Sequence, residues 1–145
     1  MKPNDTLSRH AKREVETMTT AREKIEIGLG LDAIGEPVDL NIVDWHVRQQ
    51  YPSASPSEVQ NETLEVIRAL VGDEWFRLGH IEKGRFVASK HSLDHAMKKI
   101  SHDYVKYYDE PKRWMFALSL ELTDKGEQFA RARAEKDIAS YRRKT

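Results

Sequence analysis

The chain has 145 residues, of which 33% are charged and 39% hydrophobic, with 24 basic and 24 acidic side chains and a formal net charge of zero. That balance suits one soluble, helix-rich domain with a buried core, and excludes a disordered chain or a membrane-spanning run. Cysteine is absent, which excludes a disulfide framework, a thiolate metal site and a thiol nucleophile; with no apolar leader after Met1, a cytoplasmic location is the expectation.

The charge is unevenly spread. Residues 21–80 hold five Lys/Arg against eleven Asp/Glu, whereas residues 81–145 hold fifteen against ten. The first half is therefore acidic and the second basic, and any nucleic-acid contact is expected to draw on the second, because affinity for DNA comes mostly from neutralising phosphates.

Leu7, Ala11, Val15 and Met18 recur at helical spacing and predict a helix over 5–18. Thr20-Ala21-Arg22-Glu23 is a capping box that starts a second helix, with Ile25, Leu29 and Ala33 inward and residue 34 near its end. Gly28 and Gly30 weaken that helix unless something packs closely on them; with no strand before them and no third glycine after, they read as packing positions rather than a phosphate loop. Val38 is a candidate short strand. Asp39 is placed as the cap of a helix to Gln50, with Leu40, Val43 and Val47 inward and Trp45 and His46 on its flank. Tyr51-Pro52 closes it, since a residue before proline is pushed out of the α region.

The strongest local signal follows. Ser55 is an N-cap, Pro56 takes the first helical position and Glu58 completes a capping box. Val59, Thr63, Val66, Ile67 and Leu70 form the inward stripe of a helix ending at Gly72, and Ser57, Asn61, Leu64, Glu65 and Arg68 fall on the opposite face. Two alternating runs, 75–81 and 85–89, predict a hairpin with Glu82-Lys83-Gly84 at its tip.

Ser92 caps a further helix with the stripe Leu93, Met97, Ile100, Tyr104 and Tyr108. His95, Lys99, His102 and Lys106 form a basic ridge on its far side. His91 and His95 are four apart, but no glutamate follows the first as in zinc proteases, and no metal site is assigned. Trp114, Phe116, Leu118, Leu120 and Leu122 alternate with smaller or polar residues and predict a half-buried strand, paired with the hairpin in a three-stranded sheet. Thr123 caps the last helix, whose stripe is Ala130, Ala134, Ile138 and Tyr141.

These elements make an α+β domain over 1–145: N-terminal helices within 5–34, a helix-turn-helix with hairpin over 37–89, and a helix, a strand and a C-terminal helix over 91–145. The run Leu40 to Ala88, with Trp114-x-Phe116-x-Leu118-x-Leu120-x-Leu122-Thr123-x-x-Gly126, resembles bacterial winged-helix proteins in which a strand running into Leu-Thr-x-x-Gly opens a C-terminal helix. The Tyr-Pro-x-Ala-Ser-Pro-x-Glu turn at Tyr51 to Glu58 is similar to that of small bacterial winged-helix proteins. Together they cover about two thirds of the chain and specify a mainly α winged helix-turn-helix with a small antiparallel sheet and N- and C-terminal helical extensions.

Two functions follow. The resemblance implies a transcriptional regulator that binds double-stranded DNA as a homodimer through helices 5–18 and 123–143. Ser57, Gln60, Asn61 and Arg68 would read bases, and Lys83, Arg85 and Lys90 would hold phosphate. The acidic first half points instead to a winged-helix scaffold that binds a basic protein through Glu58, Glu62 and Glu65, as an antitoxin- or immunity-like neutraliser would. No nucleophile–base pair, carboxylate dyad, metal cluster or glycine-rich loop can be assembled from spacing, so neither an enzyme nor a cofactor is expected.

Overall fold

Thr20 opens the first helix of the computed structural model, which describes residues 20–144; the expected helix over 5–18 lies outside the described residues. The Thr20 side chain accepts from the Glu23 backbone N–H, and Glu23 accepts from the Thr20 backbone, so helix α1 (Ala21–Asp32) begins where the capping box places it. Gly30 is spaced for close packing: a Cβ there would lie 2.5 Å from the Cβ of Ala130 on the last helix. Gly28 faces the His46 ring in the same way, so both glycines serve helix contact.

Strand β1 (Val38–Asp39) leads into α2 (Leu40–Gln50). Asp39 occupies the cap position with extended backbone, but its side chain makes no cap bond; it accepts from the Ser119 hydroxyl at 2.9 Å instead. The chain turns at Tyr51-Pro52 into α3 (Pro56–Gly72), where Ser55 and Glu58 form the expected capping box. Val59, Val66, Ile67 and Leu70 are buried there with Thr63. At about 1.5–3 kcal/mol for each buried aliphatic side chain, packing holds α3 far more strongly than its cap, which contributes about 1 kcal/mol.

Hairpin β2 (Phe76–Glu82) and β3 (Arg85–Ala88) follows, so Glu82 belongs to the strand and the turn is the pair Lys83-Gly84. Both turn residues have positive φ, 49° and 78°, the conformation a two-residue hairpin loop needs to match the twist of its strands. Helix α4 (Leu93–Lys106), capped by Ser92, then crosses α3, burying Ala96, Met97 and Tyr104.

The long strand expected from Trp114 does not form. Pro111–Arg113 is a 3-10 turn; Trp114 and Met115 donate to the Pro111 carbonyl and Ala117 to that of Trp114. Trp114 is buried edge-on against Tyr104 and stacked on Tyr108, whereas Phe116 is 67% exposed, so this stretch plugs the core and its period of two is incidental. Strand β4 is only Ser119–Leu122. It lies between β1 and β2, and the sheet has four antiparallel strands in the order β1-β4-β2-β3, one more than expected because Val38 pairs with Leu120.

Thr123 starts α5 (Asp124–Lys144), accepting from the Gly126 N–H while its hydroxyl reaches the Glu74 and Trp75 carbonyls. A Cβ on Gly126 would collide with the Trp75 carbonyl, and Trp75 stacks on Phe129 at 3.8 Å. The Leu-Thr-x-x-Gly run is thus the clamp between the end of α3 and the start of α5. The first half of α5 packs on α1 through Ala130 and an Arg133–Glu23 ion pair, so Arg133 is not a free surface cation.

Candidate functional site

Helix α3 is the hub of the domain, touched by α1, α2, α4 and β2, and one strip of it remains exposed. Ser57, Glu58, Asn61, Glu65 and Arg68 lie on that strip. Gln60 does not: it is 7% exposed, and its amide has no route to a base edge. Leu64, also expected outside, is half-buried against the core. Because three helices flank α3, its buried arc is wider than a single stripe, and residues at the margin turn inward.

Charge pairing changes the strip further. Arg22 of α1 donates to Glu62 through Nε at 2.6 Å and through Nη2 at 2.8 Å, and to Glu65 at 3.2 Å. The Glu62 contact is the main reason the Arg22 guanidinium is held more firmly charged than usual. Arg68 is bonded to Asp94 of α4 at 2.8 Å. Both cations next to the strip are therefore engaged, and Glu65, with 68% of its side chain exposed, is the least constrained carboxylate. Glu58 is exposed, and the Ser55 backbone N–H holds its carboxyl below the usual range.

The hairpin presents the other group. Lys83 sits at the turn and Arg85 beside it, with Lys90 in the following bend; all are exposed, with no carboxylate in ion-pair range among the described residues. They lie past α3 along the chain, on β2–β3 and the segment leading to α4.

One arrangement has no counterpart in the sequence reading. Asp44 of α2 is 2% exposed and takes three donors: the Tyr104 hydroxyl at 2.5 Å, the Tyr108 hydroxyl at 2.9 Å and Arg48 Nε at 2.7 Å. Burial first, then the bond to Asp44, pushes the Tyr108 phenol up to about 12 and raises Tyr104 as well. Both hydroxyls stay protonated as donors, so this cluster ties α2 to α4 and offers no ready base. Shallow clefts of about 520 and 420 Å³ lie on either side of Arg48 and Tyr108. The Asp44-x-x-x-Arg48 spacing was visible in the sequence; partners 60 and 64 residues away were not.

Among the described residues, no three His, Asp or Glu come together in a way that holds a metal, and no helix is long and apolar enough to cross a membrane. His91 and His95 do meet, with ring centroids 4.4 Å apart. No protein-family model matches the chain, and neither a curated protein nor a solved structure was found to be similar to it.

Proposed function

We propose that the chain is a winged-helix scaffold used for protein binding in the cytoplasm, with the exposed strip of α3 as the surface that captures a basic partner. The order helix, short strand, helix, turn, helix, hairpin from α1 to β3 supports the scaffold. The pairing of Arg22 and Arg68 supports the partner. With Glu58, Glu62, Glu65 and Asp94 set against those two arginines, the strip keeps an excess of two negative charges. A phosphate backbone placed there meets like charge, while a basic protein meets its complement and is steered towards it.

The test uses Glu65→Lys, because Glu58 also holds the helix cap and Glu62 carries most of the Arg22 contact. Binding of a Lys/Arg-rich peptide, followed by fluorescence at low salt, is expected to weaken in the variant and on adding salt. Equal affinity for wild type and variant contradicts the proposal.

A second reading, a homodimeric DNA-binding regulator, is favoured by the exposed cations Lys83, Arg85 and Lys90. In that case Ser57 and Asn61 alone read bases, and Lys83→Ala with Arg85→Ala lowers the salt slope of DNA binding by roughly 2, since each phosphate contributes about 0.9. A gel shift with genomic fragments from around its own gene decides it: no fragment bound better than bulk competitor ends this reading.

A further inference from the structure

The basic ridge of α4 does not stand alone. Across from it, the far end of β2 and the loops on either side of α4 close a cleft of about 350 Å³ lined by His80, His91, His95, Lys99, Asp103 and Arg113, over an apolar floor that includes Leu78 and Ile100. We propose that this cleft binds a small phosphate monoester, an activity separate from the surface of α3.

Three observations carry the proposal. The cations come from different elements and line the same cleft: Lys99 has no carboxylate in ion-pair range among the described residues, and Arg113 lies 3.6 Å above the Tyr107 ring centre and makes one long ion pair, to Glu110 at 3.8 Å. The one carboxylate in the wall, Asp103, is already bonded to His102 at 3.1 Å. The imidazoles of His91 and His95 lie with ring centres 4.4 Å apart in the same wall. His80, from β2, is held by Glu82 at 3.0 Å.

Two permanent cations and a histidine pair suit a dianion better than the single charge of a phosphodiester, and the apolar floor suits a small organic group on its fourth oxygen. The volume is that of a small-ligand site. Charge-assisted bonds from Lys99 and Arg113 supply the anchor, and the imidazoles of His91 and His95 add hydrogen-bonding groups.

The experiment is a calorimetric titration of the full chain with glycerol phosphate, with sulfate as a second probe whose charge does not change near neutrality. Both should bind near neutral pH, and added salt should weaken both. Lys99→Ala should weaken glycerol phosphate about tenfold, the loss of one charge-assisted contact. Lys99 is exposed and unpaired among the described residues, so the variant is expected to fold. No heat with either probe, equal binding by Lys99→Ala, or displacement of glycerol phosphate by stoichiometric short duplex DNA overturns the proposal. The last outcome assigns the cleft to a nucleic-acid backbone.

Discussion

Helices α3 and α4 pack on each other, and their exposed sides carry opposite charge for different reasons. On α3 the neighbouring arginines are engaged, Arg22 with two glutamates and Arg68 with Asp94, so carboxylates are left over. On α4 the lysines Lys98, Lys99 and Lys106 have no such partners among the described residues, while Asp94 and Asp103 are paired, so cations are left over. Net composition is zero, and the division arises from which charges find partners across elements. Pairing, more than residue count, decides what each face can meet.

The largest effect is expected where α2 is joined to α4. Asp44→Ala leaves the buried Tyr104 hydroxyl and the Tyr108 hydroxyl without an acceptor, at about 1–3 kcal/mol for each buried donor left unpaired. Chemical denaturation should show a loss on the order of 3 kcal/mol, and Tyr108→Phe a loss of only about 0.5–1.5 kcal/mol. A small effect for Asp44→Ala would mean that α2 and α4 are held together by packing alone. Next comes Gly126→Ala, which drives a methyl into the Trp75 carbonyl and should cost about 1–3 kcal/mol, read as a lower thermal midpoint.

Ser55→Ala should cost about 0.5–2 kcal/mol by removing the cap of α3. The other half of the capping box has a pH signature. The Glu58 carboxyl is lowered by the Ser55 backbone N–H, so its contribution is present above the ordinary carboxylate range and is lost as pH falls through the folded value. Glu58→Gln should therefore lower stability at neutral pH and not in acid. Glu26, beside the acidic strip, has the opposite sign. Burial raises its carboxyl, so charging it costs stability as pH rises through the carboxylate range, and Glu26→Gln should raise the thermal midpoint slightly at neutral pH and not in acid.

The smallest effect is expected in assembly. The first half of α5 is used within the chain against α1, and among the described residues Ile138 further along is exposed, at 52%. A homodimer through the terminal helices predicts light scattering at twice 16.8 kDa at micromolar concentration, and Ile138→Glu should return it to the monomer mass.

Local signals were legible and distant ones were not. The caps at Thr20, Ser55 and Ser92 and the inward stripe of α3 depend on residues within one or two turns, and each was readable from spacing. Asp39 kept its position but lost its role, because Ser119, 80 residues away, competes for the same carboxylate. Trp114 and Phe116 obeyed the period of a strand, yet the turn set by Pro111 sends one into the core and the other to solvent. Of the expected base readers, Gln60 is buried and Arg68 is held in an exposed ion pair with Asp94 of α4, and neither can be foreseen from a single helix. The Asp44 cluster and the His80–Arg113 cleft depend on tertiary neighbours in the same way.

The most direct test of the proposed protein-binding role is an amide-resolved NMR titration of the full chain, once with a Lys/Arg-rich peptide and once with a short DNA duplex. The peptide should shift amides between Ser57 and Arg68 and Glu65→Lys should suppress those shifts, while the duplex should leave that segment unmoved. Duplex-induced shifts along Ser57 to Arg68, joined by Lys83 and Arg85, would contradict that role and restore α3 as a DNA-reading helix.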